Sequence, residues 1–197
     1  TPQKGIPLVD AHCHIPYPNP PNNMPISYSE QYESFLEQGG QFMVTSSVNF
    51  KTLDLMKKFS KSNEKCYLSI GFAPQTITYT KKKKIIEIYE KWLNIVVHNP
   101  TDYVSIGEIG LDFHHAKSLL KRKQQINYFD KILEDTKHLN KPYVLHVRNP
   151  SPQDIDQENP NHPYNEPDGV NKIILNIIEK HQINAEKVLW HCFAGPA

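Results

Sequence analysis

A chain of 197 residues with 38% hydrophobic and 22% charged side chains has the make-up of a globular protein, which excludes a disordered or fibrous one. Its 22 Lys and Arg balance 21 Asp and Glu, so any contact with nucleic acid must come from a local site rather than from a basic surface. No long apolar run or cationic leader occurs, and Cys13, Cys66 and Cys192 are odd in number and widely spaced, so neither a membrane span nor a disulfide framework is expected and the setting is expected to be cytoplasmic.

Short apolar runs alternate with helical patterns along the whole length, the signature of repeated strand-helix units around a parallel sheet. A first strand over 8–15 (LVDAHCHI) leads into a proline-rich stretch at 16–25 and then a helix over 29–38, stopped by Gly39 and Gly40. A second strand over 42–48 is followed by a helix over 51–60, and a third strand spans 66–73. The four lysines at 81–84 are the solvated start of a helix whose apolar residues Ile85, Ile88, Tyr89, Trp92, Ile95 and Val96 recur at three and four. The fourth strand covers 103–111, and a helix carrying Leu119, Ile126, Phe129 and Leu133 precedes the fifth, over 143–148. A second proline-rich loop at 149–169 leads to a helix with Val170, Ile173, Ile174, Ile177 and Ile178, and the sixth strand covers 187–195. Most strands are too continuously apolar to keep a solvent face, so both faces of the sheet are expected to be covered. Each proline-rich loop follows the C-terminal end of a strand, the end that carries the active site in parallel barrels and doubly wound sheets. Both loops are therefore expected to wall a substrate cleft.

The polar residues inside these strands carry the chemistry. Positions two apart on a strand point the same way, so His12 and His14 project together, as two ligands of one ion must, and Cys13 turns away as an apolar filler. Glu108 is a carboxylate within an apolar strand, and its burial requires either a salt bridge or a cation. Gly107 and Gly110 beside it let backbone approach closely. The fifth strand supplies His146 and Arg148, and the sixth His191. One such histidine is more often a satisfied core residue, but four histidines and a glutamate on four strands share one address, and coordination explains all five at once. Imidazole and carboxylate without thiolate suit Zn, Mn, Fe or Ni, and a bridging carboxylate also tolerates Mg. Arg148, on the same strand face as His146, is placed either to grip a phosphate oxygen or to lock a loop through a salt bridge. His114 and His115 stand at the end of the fourth strand, where they either meet substrate or line a solvent-facing rim.

In chain order DAHCHI, GEIGLD, LHVR and HCFAG, with Gln125 and Phe129 of QINYF between them, resemble the signatures of the TatD-type metal-dependent deoxyribonucleases, a family of amidohydrolase-like barrels. The resemblance runs over residues 8–195. It implies an α/β fold, a (β/α) TIM-type barrel, with residues 1–197 as a single metal-dependent hydrolase domain that cleaves phosphodiester bonds of DNA in an exonuclease-like manner. It also implies two divalent ions (Mg, Mn or Zn), one on His12, His14 and Glu108 and one on Glu108, His146 and His191. Glu108 would bridge them and be the catalytic carboxylate, with Asp10 behind the ligands and with Arg148 and His114 on the substrate. Two such ions lower the pKa of a bridging water and stabilise the departing oxygen of an in-line displacement. DNA is the implied partner, and no membrane is.

The departures from the family pattern are informative. A complete barrel has eight strand-helix units, typically in about 250 residues, whereas six are legible here. With the other two goes the aspartate that in the family ligates the first ion and serves as base, so a longer chain or a split gene product is expected, with a further segment or chain completing the barrel. Glu166, Asp168 or His162, in the second proline-rich loop, are the residues placed to stand in for it. Ala73, Asn149, Pro150 and Ala194 also depart from the family's usual residues, which bears on substrate preference more than on metal binding. Two alternatives stand beside the nuclease: a related amidohydrolase acting on an amide, ester or lactone, and a non-catalytic truncated fragment. No G-K-[ST], G-x-S-x-G or G-x-G-x-x-G occurs, so nucleotide hydrolysis, a serine nucleophile and a dinucleotide cofactor lack support.

Overall fold

The structure, a computed structural model, describes residues 7–17, 26–151, 162, 164 and 169–191. Most of both proline-rich stretches, together with Glu166, Asp168, Cys192 and Ala194, lies outside the described residues. Six strands pair in chain order, every pair parallel: β1 (Leu8–Cys13), β2 (Gly40–Ser47), β3 (Cys66–Ile70), β4 (Ser105–Asp112), β5 (Tyr143–Arg148) and β6 (Val188–His191). Between them run α1 (Tyr28–Glu37), α2 (Phe50–Ser62), α3 (Pro74–Tyr79), α4 (Lys82–His98), α5 (Leu119–Thr136) and α6 (Gly169–Lys180). A strictly sequential strand order curls the sheet, and β1 and β6, at its two ends, bring the rings of His12 and His191 to a centroid separation of 4.0 Å. The result is the expected TIM-type architecture, a nearly closed barrel with six strand-helix units.

Local chemistry sets most element boundaries. Ser27 caps α1 and Asn49 caps α2, each in a reciprocal capping box, with Glu30 and Thr52 respectively. The lysines at 82–84 open α4 in solvent, and its buried residues Ile85, Tyr89, Trp92 and Val96 form one stripe. One element departs from the sequence-based expectation: the third strand stops at Ile70, because Pro74, in the first turn of a helix, starts α3 there. A six-residue helix is too short to show a periodic apolar face, so composition conceals it.

The core lies between the outer face of the barrel and the helices. Leu68 and Ile70 of β3 and Tyr143, Leu145 and Val147 of β5 pack there with Met56, Trp92, Phe129 and Ile174. By alternation, Val144, His146 and Arg148 take the inner face. On β4 the rhythm breaks: Ile106, Ile109, Leu111 and Phe113 all join this core, although the step from Ile106 to Ile109 is three residues where a strand's period is two. The pairing of β4 with β5 shifts register between Gly107 and Ile109, so Glu108 is the extra residue of a bulge. The bulge restores the apolar side chains to the core and gives Glu108 to the interior. The central strand β4 buries all eight residues, but Val9 on β1 and Leu189 on β6 remain 46% and 40% exposed. Coverage of both faces therefore holds in the middle of the sheet and fails at its outer strands, which have only one strand neighbour among the described residues.

Two glycines make this geometry possible. A Cβ at Gly71 would fall on the backbone of Glu108, and Gly110 has φ +132° with its open side against the His146 carbonyl. Gly110→Ala is therefore expected to destabilise the protein by about 1–3 kcal/mol, read as a lower urea midpoint. A midpoint equal to that of the wild type would show that the β4–β5 contact can relax.

Candidate metal centre

Glu108 is only 4% exposed, and four imidazoles meet it. His12 Nε2 lies 3.2 Å from Glu108 Oε1, and His146 Nδ1 and His191 Nε2 each lie 3.3 Å from the same oxygen; His14 Nε2 stands 3.9 Å from Oε2. These side chains come from β1 and the residue just past it, from β5 and from β6, with His146 and His191 directly paired across the sheet. Burial opposes the charge of Glu108, but hydrogen bonds from His12 and His146 outweigh it and hold the carboxyl well below the usual carboxylate range. Glu108 is thus an anion at neutral pH.

The backs of the rings are also held. His14 Nδ1 lies 2.8 Å from the Ser46 carbonyl and His12 Nδ1 3.0 Å from the Ser46 hydroxyl. A carbonyl only accepts, so Nδ1 of His14 carries the proton and Nε2 presents its lone pair towards Glu108. Burial, followed by the neighbouring His12, holds the pKa of His191 below its ordinary value, which favours the neutral, ligating form. One ligand atom each from His12, His14 and Glu108 lies within 4.8 Å of the others. Nitrogen lone pairs and an ionised carboxylate converging in this way are the donor set of a divalent cation, and these residues fit one.

Behind this cluster lies a second buried carboxylate that sequence reasoning missed. Asp112 is fully buried, and its Oδ2 accepts from Gln75 Nε2 at 2.7 Å, His115 Nδ1 at 2.7 Å and His146 Nε2 at 3.0 Å, while Oδ1 accepts from the His115 backbone N–H at 3.0 Å. Burial opposes its charge too, but the hydrogen bonds from His146 and His115 prevail and lower its pKa to about 2. Burial likewise works against a charged His146, yet the bonds to Asp112 and Glu108 raise its pKa to about 9. Gln125 pins the surroundings: its Oε1 accepts from the Asp112 N–H at 2.8 Å, and its Nε2 donates to Thr78 Oγ1 at 2.7 Å and to the Pro74 carbonyl at 3.1 Å. The glutamine singled out on the fourth helix pattern thereby ties α5 to α3 and β4. The available signal for Asp112 was its position at the C-terminal end of GEIGLD; Gln75 had none, since α3 was not foreseen.

The remaining candidates take distinct places. Asp10 Oδ1 accepts from the backbone N–H of His12 at 3.1 Å. Arg148 is exposed at the end of β5, paired in register with Asp112, and among the described residues no carboxylate forms a salt bridge with it. His114 is half-buried with its ring edge-on to His115 at 5.0 Å, and it is His115, not His114, that turns in to Asp112. Cys13 is half-buried with its Sγ against the Val44 carbonyl, and burial pushes its thiol up to about 12, so it is the inert filler expected. His162 accepts through Nδ1 from the Tyr164 backbone N–H at 3.2 Å, a contact within its own loop.

Comparison with known proteins gives this geometry a context. An uncharacterized metal-dependent hydrolase of Methanocaldococcus jannaschii is 28% identical over 152 residues, which are 74% of this chain and 52% of that protein. Another, from Buchnera aphidicola, is 26% identical over 152 residues, 75% of this chain and 55% of its own length. The chain thus spans about half the length of the curated relatives it matches. The crystal structure of YjjV, a TatD homolog from Escherichia coli K12, shares the fold with a TM-score of 0.65 at 18% identity, over 95% of this chain and 61% of that one. No helix among the described residues is long and apolar enough to cross a membrane. Residues 9–197 match the family described as TatD related DNase, and the chain belongs to that family.

Proposed function

We propose that this protein hydrolyses phosphodiester bonds of DNA from an end, using two divalent ions, Mg, Mn or Zn, at the centre built around Glu108. The observation that carries the proposal is the convergence of four histidine nitrogens on one buried, ionised carboxylate at the barrel mouth. The family's description as DNase supports the choice of substrate. His12, His14 and Glu108 would hold one ion and Glu108, His146 and His191 the other, with Glu108 shared between them. When bound, such ions supply an activated water and neutralise charge on the scissile phosphate.

The protein's own groups do the rest. Ser46 keeps the ligating nitrogen of His14 facing Glu108, and Asp10 steadies the backbone of His12. Arg148, two residues past His146 on the inner face of β5 and exposed, offers a planar fork for a phosphate oxygen, and His114 meets the substrate from the turn after β4. The near-neutral overall charge leaves this local contact to carry DNA binding. The outer edges of β1 and β6 have no strand partner among the described residues, which supports a further segment or chain completing the barrel there. The free thiols of Cys13 and Cys66 support a reducing, cytoplasmic setting.

Two measurements test this reading. Elemental mass spectrometry after dialysis against trace metal is expected to find close to two equivalents in the wild type and almost none in Glu108→Gln, with far-ultraviolet circular dichroism unchanged. Full metal content in the variant overturns the bridge. Arg148→Ala is expected to weaken binding of single-stranded DNA by roughly tenfold or more in fluorescence anisotropy, the scale of a lost charge-assisted hydrogen bond, while keeping its metal. Undiminished DNA binding removes Arg148 from the substrate site.

A further inference from the structure

We infer that Asp112 is a positioning residue of the metal centre: it holds His146 in the one tautomer that presents Nδ1, and not Nε2, to the ion shared with Glu108. This inference rests on the metal reading above and extends it to a residue outside the ligand set.

The geometry leaves little alternative. The His146 ring has Nε2 3.0 Å from Asp112 Oδ2 and Nδ1 3.3 Å from Glu108 Oε1, so a carboxylate stands at each end. Asp112 Oδ2 faces the amide Nε2 of Gln75, a group that only donates, so Oδ2 is an acceptor; the proton of its bond with His146 therefore sits on Nε2, and a neutral ring keeps its lone pair on Nδ1, the atom facing Glu108. Asp112 cannot swing away to relax this constraint. Gln75 from α3 and His115 from the turn after β4 both donate to the same Oδ2, and the His115 backbone N–H holds Oδ1. The close approach of Gln75 Nε2 to His146 Nε2, 3.3 Å, is two donors sharing one acceptor. Gln125 fixes the Asp112 backbone, so residues from α3, α5 and the β4 turn converge on the orientation of one imidazole. Carboxylates behind metal-ligating histidines set the ring's tautomer and raise its basicity, and their loss typically costs about 10–100-fold in metal affinity.

An asparagine at 112 keeps the shape but replaces one accepting oxygen by a donating amide, which must face one of the donors now satisfied. Zinc, which is diamagnetic, is the probe, with binding measured by calorimetry and the ring nitrogens of 15N-histidine-labelled protein read by NMR. The expected result is a zinc-loaded wild type in which His146 carries its proton on Nε2 and coordinates through Nδ1. Asp112→Asn is expected to bind the zinc held by His146 about 10–100-fold more weakly and to show faster exchange of the His146 Nε2 proton. Coordination of His146 through Nε2 in the wild type overturns the inference, and so does equal zinc affinity in the variant. Should Asp112→Asn fail to fold, the wild-type spectrum decides alone between the two nitrogens. A wild type that binds no zinc overturns the proposed function itself, an outcome distinct from equal binding by wild type and variant, which removes only the role of Asp112.

Discussion

The charge of Glu108 has to be met inside the barrel. Withdrawing a carboxylate from water costs several kcal/mol even after relaxation, whereas a neutral hydrogen bond returns only about 0.5–1.5 kcal/mol. Of the surrounding imidazoles, His14 presents a lone pair and His191 is held towards its neutral form, so neither offsets that cost as a donor. His12 and His146 lie close enough to donate to the carboxylate, and a divalent ion, when bound, would satisfy it and the nitrogen lone pairs together. The bulge in β4, the bare backbone of Gly71 and Gly110 and the ring orientations set by Ser46 all serve this one requirement.

The barrel separates stability from chemistry by face. The outer surfaces of β3 to β5 and the apolar stripes of α2 to α6 form one core, and Tyr32, Met43 and Cys66 a smaller second one under α1; neither needs anything from the site. The inner face carries Ser69, Glu108, Asp112 and His146, polar groups that are tolerable only because each has a partner. Two buried carboxylates on the same strand thus take different tasks. Glu108 Oε1 faces Nδ1 of His146 and Asp112 Oδ2 faces Nε2 of the same ring. The bulge turns Glu108 to the inner face although Ile106, two residues before it, faces the core, and ordinary alternation from Glu108 then puts Asp112 on the same side of β4.

The reach across the barrel is also structural. His12 and His191 belong to strands at opposite ends of the sheet order, yet their ring centroids lie 4.0 Å apart, because each strand is rotated against its neighbour until the ends nearly meet. The site is therefore assembled where the first and sixth strands converge, at their C-terminal ends, with β5 beside β6 and β4 next to β5 continuing the wall.

Much of this was legible in the residues alone. Apolar strands alternating with amphipathic helices specify a parallel sheet, because both patterns are local, and polar residues interrupting such strands stand out because their burial is costly. His12, His14, Glu108, His146 and His191 are visible for that reason, and all five meet in space. Other features depend on neighbours distant in the chain. Asp112 closes a strand that reads as apolar, and its role emerges only when β5 sets His146 beside it and α3, a helix too short to betray itself by period, sets Gln75 against it. His115 and its neighbour His114 read alike in the sequence, and only the turn that carries both aims the His115 ring inward to Asp112. Composition and periodicity determine which residues are buried and on which element; register and the through-space pairing of charges decide which nitrogen of a buried ring carries its proton, and tertiary structure alone supplies those.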